Sequence, residues 1–125
     1  MIIYAPGFEV CRRADGSVEM LDGLPAIRTR GELRYLHTDG FEIVVPPSFR
    51  GNGGSVPYPV RWLIHPHDEA ALPCFHLHDW NYTCKDLTRR KADRILFYSL
   101  RCRGVSLTRA LAVWLAVRLC GGSHY

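Results

Sequence analysis

Three side chains that could together remove a proton from a substrate lie in the second half of this 125-residue chain. His78 and Tyr82 are four residues apart, so a helix would place them on one face, and Asp93 follows further along the chain. A histidine acts as a general base when a carboxylate fixes which ring nitrogen carries the proton. Tyr82 could donate its hydroxyl hydrogen to the same carboxylate. His78, Tyr82 and Asp93 therefore form a candidate catalytic set.

Two predicted helices must bring this set together. The first covers about residues 72–82, with Pro73 in its first turn, where a missing N–H costs little. The second begins after Thr88, a suitable N-cap, and ends near Cys102. If the turn between the helices is centred on Asp86, the histidine and the acid lie at matching heights on facing helices.

The same pattern also suits a buried structural pair. A core histidine that bonds to an acid on a neighbouring helix would hold the two helices together without performing chemistry. The spacing of the residues does not distinguish such a brace from a catalytic pair, so both interpretations stay open.

The whole sequence predicts a single α+β domain over residues 1–125. Residues 1–48 read as an antiparallel β-meander with a hairpin turn at Asp15-Gly16. A glycine-rich loop region covers residues 49–71, and residues 72–122 hold three helices. The third helix is apolar on nearly all sides, so it is either central to the core or packs against a partner. The strand candidates are residues 8–13, 17–21, 26–35 and 41–45.

Metal ligands are a further possibility beside the candidate base. Asp79 would point to another side of the first helix, where oxygens of the glycine-rich loop at Asn52 and Gly53 could join it. Carboxylate and carbonyl oxygens are the ligands that Ca²⁺ prefers. Histidines could instead bind zinc, and the candidates are His65, His67, His76 and His78. Because the last two point to different faces of a helix, we do not expect a zinc site.

Ser55 in the glycine-rich loop offers a different chemistry. With His78 as base and Asp93 as orienting acid, it would complete a nucleophilic triad by residue type. A serine that closes a glycine turn is more often structural, and the spacing alone does not bring Ser55 within hydrogen-bond reach of the histidine.

Positive charge is concentrated in the helical half. Residues 85–125 contain nine Lys/Arg and two Asp, whereas residues 1–84 contain seven Lys/Arg and ten Asp/Glu. The second helix opens with a basic face whose charge opposes the helix dipole, formed by Arg89, Arg90, Lys91 and Arg94. A phosphate, a lipid headgroup or an acidic partner would offset this charge, and a solvated helix face is the alternative. We find no strong signal for nucleic-acid binding.

Cysteine usage and apolar runs bear on location. The five cysteines are odd in number and lack Cys-x-x-Cys spacing, so we expect buried free thiols and synthesis in a reducing cytoplasm. The N-terminus lacks the basic and apolar regions of a signal peptide. The apolar stretch from Leu107 to Cys120 contains two arginines and is shorter than the roughly 20 residues that span a bilayer. We therefore expect no transmembrane segment.

Several short motifs, in this order and spacing, resemble a family of small phage and prophage proteins of undefined function. That family combines a Phe-x-Thr-Asp-Gly-Ala-Ser-Val-Pro loop, a tryptophan, a His-Asp-x-x-Tyr helix and an Ala-Asp-x-x-Phe helix. The matching residues are Phe49, Gly53, Ser55, Val56, Pro57, Trp62, His78, Asp79, Tyr82, Ala92 and Asp93, with Phe97 one place late. The resemblance implies a phage or prophage protein made in the host bacterial cytoplasm, with incorporation in the virion left open.

More distantly, the helical hairpin is similar to that of secreted phospholipase A-two, especially its bacterial and fungal forms. In that family a histidine activates water, and a later Asp orients the histidine. The resemblance assigns these roles to His78 and Asp93, with Tyr82 as a bracing hydroxyl. It also implies calcium at Asp79 and the glycine loop. Asn52 stands where the phage pattern has an acid, so we expect calcium binding to be weak.

Two functions follow as expectations. The first is a phage-encoded ester hydrolase with a phospholipase-like His78/Asp93 pair, acting in the bacterial envelope with a phospholipid as a possible substrate. The second is a non-enzymatic tail or baseplate component. In that case the histidine, acid and tyrosine form a structural brace, and the apolar third helix binds other phage proteins or a second copy of the chain.

Overall fold

The computed structural model describes residues 2–21, 23–52, 62, 64–65 and 68–120. Short antiparallel strands precede three helices in this part of the chain, so the predicted α+β class is confirmed. The strands are β1 (Ile2–Tyr4), β2 (Phe8–Val10), β3 (Met20–Leu21), β4 (Leu24–Pro25), β5 (Ile27–Thr29), β6 (Leu33–Leu36) and β7 (Glu42–Val45). The helices are α1 (Leu72–Cys84), α2 (Arg89–Cys102) and α3 (Leu107–Cys120).

The strands do not form the simple meander that was predicted, because several strands pair with partners that are not their neighbours in sequence. β6 and β7 are neighbours in sequence and in space, but β1 pairs with β6, and β2 pairs with β5. The predicted strand at residues 26–35 is two strands, because the chain bends at Arg30 and Gly31. The predicted hairpin turn is present, with Gly16 at φ 87°, a conformation that glycine adopts without steric cost.

The three helices begin and end close to the predicted positions. Thr88 caps α2, and its hydroxyl accepts a hydrogen bond from the Lys91 N–H at 3.2 Å. Gly104 follows α2 at φ 89°, where an L side chain would be strained. Helix α1 extends two residues beyond the predicted end at Tyr82 and stops at Lys85, which is left-handed.

Helix α1 packs against both the sheet and the other two helices. Its Leu77 packs with Leu33 and Val45 of the sheet, while Cys74 and Phe75 belong to the cluster that α1 forms with α2 and α3. Every residue from Pro73 to Asp79 is consequently buried. This position places His78 in the interior of the protein and leaves α1 without a solvent face over that segment.

The cysteines are free thiols, but not all are buried. Cys11 and Cys74 are buried, and burial raises the pKa of the Cys74 thiol to about 12. The prediction of burial is wrong for Cys102 and Cys120, which are exposed at the C-terminal ends of α2 and α3, and Cys84 is only partly buried. Within the described parts of the chain, no helix is both long and apolar enough to cross a bilayer.

Candidate functional site

The core of the candidate site is a direct bond between α1 and α2. His78 Nε2 lies 2.8 Å from Asp93 Oδ1, and both side chains are 0% exposed. The antiparallel α1–α2 hairpin therefore brings the histidine and the acid to matching heights, as their spacing predicts. Buried ionisable groups are tolerated when they are paired and hydrogen-bonded.

Tyr82 completes the predicted set. Its hydroxyl donates to the same Oδ1 atom of Asp93, and its ring lies against the His78 imidazole with the centroids 4.1 Å apart. Burial and the bond to Asp93 raise the pKa of Tyr82 above its ordinary value. The phenol therefore keeps its proton and serves the carboxylate as a hydrogen-bond donor.

Two arginines that the sequence interpretation did not connect to the site hold the other carboxylate oxygen. Arg118 of α3 donates to Asp93 Oδ2 at 2.8 Å, and Arg89 Nε lies 3.8 Å from the same atom. Arg89 also donates to the Val117 and Arg118 carbonyl oxygens near the C-terminal end of α3. The sequence feature that could have pointed to Arg118 is its position as a charged residue near the end of an apolar helix.

These contacts decide where the proton on His78 resides. Burial alone would raise the pKa of Asp93. The side-chain hydrogen bonds from His78, Tyr82 and Arg118 together lower the pKa by more than burial raises it, so the net pKa lies below the ordinary value. Ionised Asp93 can only accept hydrogen bonds. Nε2 of His78 is therefore the protonated nitrogen, and in the neutral ring Nδ1 bears the lone pair. Such a histidine has the tautomer of an oriented general base.

The His78 imidazole is not accessible to a substrate in this structure, unlike the base of a working active site. The His78 side chain is fully enclosed. A substrate can reach Nδ1 only if the atoms that cover the imidazole move. The same enclosure is what a structural brace requires, because water would weaken its hydrogen bonds.

The next residue on α1, Asp79, faces the beginning of the glycine-rich loop. The Asn52 N–H donates to Asp79 Oδ2 at 3.2 Å, and the Asn52 side-chain amide donates to the Leu21 carbonyl. A Cβ built on Gly51 would lie 2.9 Å from Asp79 Oδ2. Only glycine therefore lets the loop backbone approach this carboxylate so closely.

These contacts concern two of the three predicted calcium ligands, Asp79 and Asn52, and the neighbouring Gly51. The Gly51 carbonyl already accepts a bond from the Ile27 N–H at 2.8 Å, and the loop presents an N–H to Asp79 where calcium would need an oxygen. The described residues contain no group of three or more His, Cys, Asp or Glu side chains placed to hold a metal. Gly53 and the proposed nucleophile Ser55 lie outside the described residues.

His76 is a buried polar group that the sequence interpretation did not foresee. It lies between the rings of Phe8 and Phe49, and neither of its ring nitrogens has a hydrogen-bond partner within the described structure. Burial lowers the pKa of His76 to about 4, although the Asp79 charge partly opposes the shift. The ring is therefore neutral at physiological pH. Of the other zinc candidates, His65 is exposed and His67 lies outside the described residues.

The predicted basic face divides into two parts. Arg89 turns toward Asp93 and the end of α3. Arg90, Lys91 and Arg94 are exposed on the outer side of α2.

Comparison with known protein families gives a match over most of the chain. A family described as "Protein of unknown function (DUF1353)" matches residues 28–117, a range that includes most of β5, strands β6 and β7, both helices of the His78–Asp93 hairpin and most of α3. Neither the curated proteins nor the solved structures contain a match. This match confirms the expectation that the chain belongs to a family of undefined function. Because the match spans most of the chain, the protein belongs to the DUF1353 family.

Proposed function

We propose that this protein is a phage- or prophage-encoded ester hydrolase in which His78 is the general base. The observation that carries the proposal is the bond from His78 Nε2 to an Asp93 carboxylate whose lowered pKa keeps it ionised. This bond fixes the tautomer that leaves a lone pair on Nδ1. Resemblance of the hairpin to the secreted phospholipases supports an ester, such as a phospholipid of the bacterial envelope, as the substrate class.

The reaction follows from this tautomer. His78 Nδ1 accepts a proton from water as the water oxygen attacks the ester carbonyl carbon. The imidazolium that forms is stabilised by Asp93, whose negative charge Tyr82 and Arg118 hold in place. The proton then passes from Nδ1 to the departing alkoxide, so an ester and water become an acid and an alcohol. Calcium at Asp79 remains a weak site to be tested, and no step above depends on it.

Hydrolysis assays test this proposal. Wild type and His78→Gln would be compared on phosphatidylglycerol vesicles and on a soluble nitrophenyl ester, with calcium and with a chelator. We expect the variant to lose about 10²–10⁴-fold in rate, the usual contribution of a general base. His65→Gln, at an exposed histidine, should retain the wild-type rate. Equal background rates for folded wild type and His78→Gln would rule out the hydrolase.

A second candidate function is a non-enzymatic component of a phage tail or baseplate. Two observations favour it: the full enclosure of His78, which suits a brace, and an exposed leucine stripe on α3. The stripe recurs every four residues, and its members are Leu107 (51% exposed), Leu111 (46%), Leu115 (52%) and Leu119 (75%). Leucines at this spacing form the ridge that packs into the groove of another helix.

The structural candidate predicts self-association or a place in the particle. Light scattering would show a defined oligomer that Leu111→Gln with Leu115→Gln dissociates, whereas Thr108→Gln on the same helix leaves it intact. Mass spectrometry of purified particles would detect the chain. A stable monomer that is absent from particles would exclude this candidate.

A further inference from the structure

A groove separate from the His78 site lies along the outer side of α2. It has a volume of about 360 Å³, and its walls include Arg90, Lys91, Arg94 and Tyr98 of the helix and His37, which follows β6. This volume is within the range of small-molecule binding sites, roughly 300–1,000 Å³. The groove is therefore large enough for a small ligand and is lined on one side by positive charge.

The three cationic side chains in the groove have no carboxylate partner. Across the described residues, neither Arg90, Lys91 nor Arg94 forms an ion pair. Arginines on the sheet do find partners, as Arg28 does with Glu9 at 2.7 Å. The groove therefore gathers three cationic side chains that form no ion pair with a described carboxylate.

The local structure makes these charges unfavourable in the absence of an anion. Arg90 and Arg94 are four residues apart on one helix face, where like charges repel. They lie near the start of α2, whose dipole opposes positive charge and whose first turn has no acidic residue. An anion in the groove would reverse each of these unfavourable terms. The arrangement is therefore what an anion-binding site requires.

The opposite wall is rigid and partly aromatic. His37 Nδ1 lies 2.9 Å from the buried Tyr35 hydroxyl, and the imidazole stacks on Phe41 with the centroids 4.7 Å apart. Lys91 Nζ lies 4.2 Å from the centre of the same Phe41 ring. These contacts fix the position of the histidine and the lysine. On the helix side, the partly exposed Tyr98 ring supplies a surface for the organic part of a ligand.

We propose that this groove binds the phosphate group of an anionic ligand, either a free phosphate ester or the headgroup of an anionic phospholipid. Arg90 and Arg94 contact the phosphate oxygens, because the guanidinium fork matches phosphate geometry. Lys91 adds a third positive charge. Phosphate binding in the groove does not depend on hydrolysis at His78, because no side chain that lines the groove belongs to the His78–Asp93 network.

Binding measurements on the full chain test the proposal and identify the source of the phosphate. Glycerol 3-phosphate would be titrated at low ionic strength, and flotation would be measured with phosphatidylglycerol and phosphatidylcholine vesicles. Binding of glycerol 3-phosphate indicates a free phosphate ester. Binding to phosphatidylglycerol vesicles alone indicates a lipid headgroup. Wild type that binds neither probe would overturn the proposal.

Arg94→Gln and its charge-matched control Arg13→Gln separate the groove from net charge. Arg13 is exposed on the first hairpin and does not line the groove. We expect Arg94→Gln to weaken binding roughly tenfold, the effect of losing one charged hydrogen bond, and Arg13→Gln to change it little. Arg94→Gln should melt no lower than wild type, because it removes repulsion. Equal affinities of the two variants, or a lower melting temperature of Arg94→Gln, would contradict the assignment.

Discussion

Arg118 Nη1 donates to Asp93 Oδ2 at 2.8 Å and thereby joins the last helix to the histidine–aspartate pair of the first two. Because the side chain of Asp93 is fully buried, this one carboxylate holds groups from three helices: His78 and Tyr82 from α1, Arg89 from α2 and Arg118 from α3. The candidate site is therefore also the polar centre of the helical half.

Asp93→Asn should destabilise the protein strongly. The amide removes the negative charge and leaves Arg118 partly buried without its partner, which costs about 3–5 kcal/mol for a broken buried pair. Urea unfolding would measure the loss. Asp86→Asn, at an exposed acid on the turn before α2, should change the free energy of unfolding by less than about 0.5 kcal/mol. A loss at Asp93 no larger than that of the control would show that the network contributes little.

Gly51→Ala should be destabilising through close contact alone. The new Cβ would lie 2.9 Å from Asp79 Oδ2, 3.1 Å from His76 Nδ1 and 3.3 Å from the Phe49 ring. Overpacking of this kind costs about 1–3 kcal/mol. In Gly31→Ala the nearest atom is Pro6 Cβ at 3.7 Å, an ordinary contact, so that control should melt close to wild type. The two variants melting together would contradict the close approach at Gly51.

Stability should fall on acidification between pH 6.5 and pH 4 because of His76. Its folded pKa is about 4, against an ordinary value of 6.5. Between these two pH values His76 is therefore protonated in the unfolded chain but neutral in the folded protein, so protonation favours unfolding. The shift corresponds to roughly 3 kcal/mol at pH 4. Asp93, with a folded pKa below 3.8, adds its own loss only at lower pH.

Unfolding of wild type and His76→Leu across this range would isolate the histidine. The leucine variant lacks the titrating group, so the difference in unfolding free energy between the two proteins should shift by roughly 3 kcal/mol from pH 7 to pH 4 in favour of the variant. A difference that stays constant with pH would mean that His76 is not buried as a neutral ring.

Local signals predicted the helical half well. The cap at Thr88, the stop at Gly104 and the spacing of His78, Tyr82 and Asp93 all act within one or two helical turns, so the sequence contains them directly. The bond from Asp93 to Arg118 spans 25 residues, and it depends on how α3 packs against α2. Such a contact is a consequence of tertiary packing and carries no local pattern.

The sheet was predicted less completely for a similar reason. The Asp15-Gly16 turn is a local signal and was found, but β1 pairs with β6 across more than 30 residues. A three-residue strand is too short to show an alternating pattern. The burial of His76 also depends on Phe8 and Phe49, which approach it from distant parts of the chain.

The central claim is that Asp93 holds the proton of His78 on Nε2 and leaves Nδ1 as the base. Long-range ¹H–¹⁵N NMR of the imidazole at neutral pH reports the protonation of each ring nitrogen directly. For the neutral ring the structure predicts a protonated Nε2 and an unprotonated Nδ1, and the ¹⁵N signal of Nε2 should move in folded Asp93→Asn. A neutral ring with its proton on Nδ1 in the wild-type protein would contradict the account.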